Sequence, residues 1–141
     1  MAIERIFGIA GTALNSQMIR MNATASNLAN AGTVAATEQD AFRAKRPVFK
    51  ALVDKESTNS GFQHVGGVKV DRIVDDQTPV RKVYSPGNPL ADKDGFVFSS
   101  NVSEVTEMVE MMAAARSYQN NVEVVNTARE LMMRTLEVIK A

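Results

Sequence analysis

The sequence predicts an α+β protein in which two long terminal α-helices pair as a coiled-coil-like hairpin, with a small β-rich or irregular module between them. In the N-terminal stretch Ile6–Ala31, the only charged residue is Arg20. Segment 101–141 has neither glycine nor proline, and all four prolines lie in the middle. We therefore divide the chain into an N-terminal helix (1–32), a middle module (33–100) and a C-terminal helix (101–141).

The composition argues for a protein that contacts other proteins. The 141 residues include 16 basic and 16 acidic ones, so the net charge is zero and no attraction to nucleic acid or an anionic membrane is expected. Low net charge tolerates dense self-association. There is no cysteine, which excludes disulfides and thiol catalysis. No apolar run is long enough to span a bilayer, and the N-terminus does not resemble a cleaved signal peptide.

The N-terminal helix is predicted from a seven-residue repeat. Apolar, small and uncharged polar residues recur at the spacing of coiled-coil a and d positions, which places them along one seam. The seam consists of Ile3, Phe7, Ala10, Leu14, Gln17, Met21, Thr24 and Leu28. Gly32 follows the last periodic residue and suits a left-handed C-terminal cap. An ordinary surface helix exposes a charged face, so this nearly uncharged helix indicates protein contacts on most sides and an assembly subunit rather than an enzyme.

The middle module is predicted to contain short strands and turns. Val68 and Val70, the run Arg81–Tyr84, and Phe96–Phe98 after an Asp-Gly turn have the composition of strands. We predict that Phe42–Val53 is extended, because the residue before a proline disfavours helix. Lys55–Gly67 is polar and contains glycine, which is typical of a loop.

The C-terminal helix is predicted to start at Asn101. Asn101 and Glu104 have the spacing of a capping box, with acidic residues early in the helix and basic residues late. The apolar stripe consists of Val105, Met108, Val109, Met112, Ala115, Val122, Val125, Met132, Met133, Leu136 and Ile139. Each terminal helix alone would expose its stripe to water, so we expect the two to pair, either parallel or antiparallel.

No motif in the sequence supports a catalytic, cofactor or metal site. His64 is the single histidine and lies in a polar segment, without the partners that a transition-metal site needs. Asp92–Gly95 resembles the start of a calcium loop, but Val97 and Ser103 stand where that loop needs Gly and Glu. No phosphate-binding glycine motif occurs. We therefore expect no enzyme activity, no cofactor and no metal.

Three segments resemble one family of bacterial proteins. Thr24–Ala31 contains Ser-Asn-Leu-Ala-Asn-Ala, which is similar to the signature of flagellar rod and hook proteins. Tyr84–Asp92 with Gly95–Val97 resembles the central motif of the short proximal-rod members, and Arg116–Val124 resembles their C-terminal helix. Order and spacing agree over nearly the whole chain.

The resemblance implies a structural subunit of the flagellar basal-body proximal rod. Such proteins are exported by the flagellar type III apparatus without a cleaved signal peptide and polymerise helically into a rod that crosses the periplasm. The rod transmits motor torque to the hook and filament. The implied partners are further copies of the chain, other proximal and distal rod subunits and an adaptor protein at the rod base. The family also implies terminal helices that become fully ordered during assembly.

Ten residues are our candidates for assembly contacts. Asn27 and Asn30 are expected to set the register at the end of the first helix. The remaining candidates, expected to pack along the helix seams, are Leu14, Met21, Leu28, Met108, Met112, Val122, Met132 and Leu136.

Two alternatives stay open: a different axial role, such as distal rod or hook, and a helical adaptor or export chaperone. Distal-rod and hook proteins are generally much longer, and a chaperone should have charged outer helix faces.

Overall fold

A computed structural model describes residues 2–52 and 66–140, which form two long terminal helices with five strands between them along the chain. The elements are α1 (Ala2–Ala29), β1 (Val34–Ala35), β2 (Lys45–Ala51), β3 (Val68–Asp75), β4 (Arg81–Tyr84), β5 (Phe96–Ser99) and α2 (Glu104–Lys140). The predicted α+β class with terminal helices is confirmed, while the coiled-coil character of the pair stays a prediction. His64 and the predicted loop lie outside the described residues, apart from Gly66 and Gly67, which have no regular secondary structure.

The end of α1 differs from the predicted glycine cap. Gly32 does not have a positive φ; among the described residues that conformation occurs at Gly95 alone. The last carbonyls of α1 are instead bonded by the Asn30 amide, which donates to Ser26 O at 2.8 Å. The Thr33 hydroxyl likewise donates to Asn30 O at 2.7 Å. Because these side chains satisfy the helix end, no left-handed residue is needed there.

The two helices run antiparallel along their length. Asn27 contacts Glu107, Arg20 contacts Glu110, and Ile6 lines a cleft with residues 123–131 at the opposite end. Seven of the eight predicted seam residues of α1 are turned inward in the chain, while the side chain of Ile3 lies outside the described part. Ala10 and Thr24 are buried, and the half-buried seam residues are Phe7, Leu14, Gln17, Met21 and Leu28.

The five strands form two separate antiparallel sheets. One sheet has the order β1-β5-β4, and the other is the β2–β3 hairpin, whose register joins Lys45 to Asp75 and Ala51 to Val68. The strands predicted around Val70, Arg81–Tyr84 and Phe96–Phe98 are confirmed, as is the extended conformation of most of Phe42–Val53. A small core of Ala31, Ala44 and Val102, packed against Phe42, joins the middle module to both helices.

The uncharged face of α1 holds the β2–β3 hairpin through the main chain of Val68. The Val68 N–H donates to Thr12 Oγ1 at 3.2 Å, and Ser16 Oγ donates to Val68 O at 3.3 Å. Thr12 and Ser16 lie one turn apart on the same side of the helix. Short uncharged side chains therefore bind the donor and the acceptor of one strand residue, which charged side chains on this face would obstruct.

The loop between β4 and β5 folds around Asp92. Its carboxylate accepts hydrogen bonds from the N–H groups of Phe96 and Asp94, at 2.8 and 3.0 Å. The bond from Phe96 is the main reason that the pKa of Asp92 lies below its ordinary value. Gly95 has a φ of 81°, and a Cβ there would lie 2.9 Å from Tyr84 Cε2. The Tyr84 ring packs edge-on against Phe96, with ring centroids 5.2 Å apart.

Replacing Gly95 with alanine is expected to lower the free energy of unfolding by about 1–3 kcal/mol, because the positive φ and the Tyr84 ring both oppose a side chain. Urea denaturation followed by circular dichroism measures this change. Gly87 lies in the same loop, and a Cβ there meets no atom within 4 Å. Gly87→Ala is therefore the matched control, with a change below about 1 kcal/mol. Equal effects of the two variants would contradict this account of the turn.

Candidate assembly site

Asn27 joins α1 to β2 through the main chain of one residue. Its Oδ1 accepts a hydrogen bond from the Lys45 N–H at 2.7 Å, and its Nδ2 donates to Lys45 O at 3.0 Å. The amide thus takes the place of a neighbouring strand at the start of β2. Asn27 is fully buried, so these bonds are shielded from water. The Lys45 side chain separately forms an ion pair with Asp75 across the hairpin.

The same asparagine reaches α2 through a buried carboxylate. Asn27 Nδ2 donates to Glu107 Oε2 at 2.9 Å, and Glu107 is fully buried. The guanidinium of Arg46 lies 2.9 Å from Glu107 Oε1, within ion-pair distance. That oxygen accepts no directed hydrogen bond in the described residues, so Arg46 contributes mainly its charge. We call Asn27, Lys45, Arg46 and Glu107 the polar junction.

Asp76 and Asn101 extend the polar junction into the middle module. Asp76 lies 3.6 Å from Arg46, and its carboxylate accepts bonds from the Thr78 hydroxyl and N–H. Asn101 accepts from the Ala44 N–H at 2.8 Å and donates to Asp76 O and Thr78 O. Asn101 therefore fixes the chain just before α2 to the residue that precedes β2, while Arg46 connects β2 to Asp76.

The predicted cap of α2 is wrong. The helix begins at Glu104, directly after Ser103, and the Thr106 hydroxyl donates to Ser103 Oγ at 3.0 Å. Asn101 lies three residues before the helix and uses its amide for the middle module instead. The physical reason is that Asn101 forms three hydrogen bonds with the Ala44 N–H and the carbonyls of Asp76 and Thr78. Capping the helix would give its side chain one hydrogen bond.

An apolar stripe on the first turns of α2, which we call the base of this helix, faces away from α1. Val105, Met108, Val109 and Met112 are spaced i, i+3, i+4 and i+7, which places them on one side of the helix. Val105 and Met112 are each 72% exposed. Glu107 and Ala114 occupy the opposite side and are buried. We call these four residues the outer stripe; each of them is more than half exposed.

The structure places the ten predicted site residues in two different environments. Asn27 is buried and bonded to both β2 and α2, and Asn30 binds the end of its own helix. Leu14, Met21 and Leu28 are half-buried. Five residues of α2 are exposed in the single chain: Met108, Met112, Val122, Met132 and Leu136. The contacts of these five with neighbouring subunits stay a prediction.

Apart from Val125, the predicted stripe does not include the residues through which α2 meets the rest of the chain. The inward positions of α2 alternate in steps of four and three residues and are buried or half-buried. They are Glu107, Met111, Ala114, Tyr118, Asn121, Val125 and Ala128. This series mixes acidic, amide, small and apolar side chains, so apolarity does not select it. The spacing alone carries the signal, because it repeats every seven residues like the seam of α1.

The described residues contain no cluster of three or more His, Cys, Asp or Glu side chains able to hold a metal ion. None of the described helices combines the length and the apolar character that crossing a membrane requires.

Asn27→Ala is expected to lower the free energy of unfolding by about 2–4 kcal/mol, because it leaves the Lys45 main chain and the Glu107 carboxylate without their amide partner. Urea denaturation measures the change. Asn22 is exposed on the same helix, and Asn22→Ala provides the control, with an expected change below about 1 kcal/mol. A loss at Asn27 no larger than at Asn22 would show that the polar junction does not stabilise the fold.

Acid is expected to destabilise the protein through Asp76. Hydrogen bonds from Thr78, aided by the charge of Arg46, hold the pKa of Asp76 below its ordinary value of 3.8, although partial burial opposes the shift. A lowered folded-state pKa stabilises the protein fully above pH 3.8, and this contribution is lost as the pH falls through the folded value. Urea denaturation at a series of acidic pH values measures the free energy of unfolding. As the pH falls, this free energy should decrease less steeply for Asp76→Asn than for the unmodified chain. An equal decrease in both proteins would contradict this role of Asp76.

Comparison with known proteins identifies the family. A family model described as flagellar basal body rod FlgEFG protein C-terminal matches residues 93–138, which include nearly all of α2. The chain is 48% identical over 136 residues to the flagellar basal-body rod protein FlgC of Salmonella typhimurium, covering 96% of this chain and 97% of that protein. The corresponding protein of Yersinia enterocolitica is 46% identical over the same shares.

A more distant relative agrees over its full length. The flagellar basal-body rod protein FlgC of Buchnera aphidicola from Acyrthosiphon pisum is 41% identical over 140 residues, or 98% of each chain. The similarity therefore covers both terminal helices as well as the middle module. This chain belongs to the FlgC family of flagellar basal-body rod proteins, which are structural subunits of the rod.

Proposed function

We propose that this chain polymerises helically through its terminal helices into the proximal rod, the part of the drive shaft that transmits motor torque to the hook and filament. The observation that carries the proposal is the outer stripe, which is exposed although its four side chains are apolar. Burying each such side chain stabilises an interface by about 1.5–3 kcal/mol. A neighbouring subunit that covers the stripe gains this free energy.

The far end of α2 supports the same proposal. All residues from 129 to 140 are exposed, and they include Leu131, Met133, Val138 and Ile139. These apolar side chains point in several directions around the helix, so one partner helix cannot cover them all. A site between several neighbouring subunits, as a rod provides, would cover them. An isolated helix end of this kind is marginally stable in water.

The polar junction suits a subunit that carries load. A torque applied to the helices reaches the middle module through the buried bonds of Asn27 and the ion pair between Arg46 and Glu107. The hydrogen bonds of Asn27 are directional, while Arg46 acts through its charge. Both contacts lie where α1 ends and α2 begins, so sliding of α2 along α1 breaks them. The outer stripe, in contrast, is apolar and tolerates different neighbours.

The proposed partners are further copies of this chain, other proximal and distal rod subunits and an adaptor protein at the rod base. In this proposal the flagellar type III apparatus exports the chain without cleavage of a signal peptide, and the assembled rod crosses the periplasmic space. The exported chain contains no cysteine, so its folding after export requires no disulfide formation.

Met112→Glu is expected to abolish or strongly reduce motility, because a charge on the outer stripe loses its water when a neighbour packs against it. The variant is expressed in a strain that lacks its own copy of this protein, and swimming and incorporation into isolated basal bodies are measured. Since Met112 is exposed in the single chain, the purified variant should unfold within about 0.5 kcal/mol of the unmodified chain.

Gln39→Glu is the matched control for this experiment. Gln39 is an exposed residue between β1 and β2, outside α2, so its replacement adds the same charge away from the outer stripe. It should leave motility and incorporation unchanged. Normal swimming and normal incorporation of Met112→Glu would overturn the assignment of the outer stripe to subunit contacts.

A further inference from the structure

The buried carboxylate of Glu107 depends on a cation that neither helix provides. Arg20 is the only charged residue of α1 between Ile6 and Ala31, and it already binds Glu110 at 2.6 Å. From α1, Glu107 receives the amide of Asn27 alone among the described contacts. Its positive partner is Arg46 of β2. A fully buried carboxylate that loses its cation is strongly destabilising, so pairing of α2 with α1 at this point requires β2.

The position of Arg46 follows from the docking of the β2–β3 hairpin on α1. Asn27 binds the main chain of Lys45, the residue before Arg46, at one end of the hairpin. Thr12 and Ser16 bind the main chain of Val68 at the other end. Asn27 lies about 16 Å along α1 from Ser16, at 1.5 Å per residue. The hairpin is therefore held at both ends by hydrogen bonds, which water can replace at modest cost.

We propose that the β2–β3 hairpin is a strap whose docking on α1 controls the pairing of α2 with α1. When the strap is docked, Arg46 neutralises Glu107 and the base of α2 closes on α1. When the strap is released, Glu107 faces α1 without a cation, and the base of α2 separates until water reaches the carboxylate. The strap thereby makes closure of the helix pair conditional on folding of the middle module. This device operates in the single chain and does not depend on the proposed polymerisation.

Thiol labelling of the purified full-length chain tests the strap. The chain has no cysteine, so Ala114→Cys introduces a single reporter at a fully buried position of α2. Arg46→Met in this background should raise the labelling rate by about tenfold or more, because it removes the cation. Adding Glu107→Gln should return the labelling rate to within about threefold of the rate in the Ala114→Cys chain, because a neutral amide needs no cation. Arg72→Met, at an exposed arginine of β3, is the matched control and should leave the labelling rate at position 114 unchanged.

A second pair of variants tests the coupling over distance. Thr12→Val combined with Ser16→Ala removes the bonds at the far end of the strap and should raise labelling at position 114 about threefold or more. A separate reporter, Ala10→Cys, occupies a buried site of α1 far from the polar junction. Its labelling rate should stay unchanged in Arg46→Met, which distinguishes local release of α2 from global unfolding.

Three outcomes would overturn the proposal. The first is an unchanged rate at position 114 in Arg46→Met, which would show that pairing does not need the cation. The second is a failure of Glu107→Gln to restore slow labelling, which would show that Arg46 acts through another residue. The third is an equal increase at positions 10 and 114, because Arg46 would then stabilise the whole fold rather than control α2.

Discussion

A buried negative charge at the base of α2 is the constraint on which the rest of the structure depends. Glu107 is fully buried, and the two groups that make its burial tolerable come from different elements, Asn27 from α1 and Arg46 from β2. An apolar residue at position 107 would pack without demanding either partner. The carboxylate therefore gives the helix pair a specific register that apolar packing alone does not impose, since sliding by one turn would bury an unpaired charge.

The scarcity of charge on the side of α1 that faces the β2–β3 hairpin has a structural reason that follows from this arrangement. Thr12, Ser16 and Asn27 bind main-chain groups of the β2–β3 hairpin, so this face of α1 replaces a neighbouring strand for Val68 and Lys45. Longer charged side chains would hold the hairpin away from the helix and would require their own partners. One face of α1 thus serves the hairpin and the seam serves α2, whereas Asn15, Met18 and Asn22 are exposed on a third face that also lacks charge.

The terminal helices and most strands were predictable because their signals are local: periodicity, turn residues, and the absence of glycine and proline from α2. The polar junction was not, because it joins Asn27, Arg46 and Glu107 across long sequence separations. The outer stripe was predicted as a packing face of α2, whereas the chain itself buries the mixed series that includes Glu107 and Ala114. A hydrophobic pattern identifies a face that seeks a partner, without specifying whether the partner lies in the same chain.

The two sides of α2 therefore serve different needs of a rod subunit: one fixes the geometry of the chain, and the other offers a surface for assembly. The inner side carries the buried hydrogen bond with Asn27 and the ion pair with Arg46, which define one arrangement of the chain. The outer side carries Val105 and Met112, which are exposed and non-directional. If the charged contacts lay outside, each neighbour would have to supply a matching charge at every subunit contact. Placing them inside lets the chain fix its own geometry first and leaves adaptable apolar surface for assembly with subunits of different sequence.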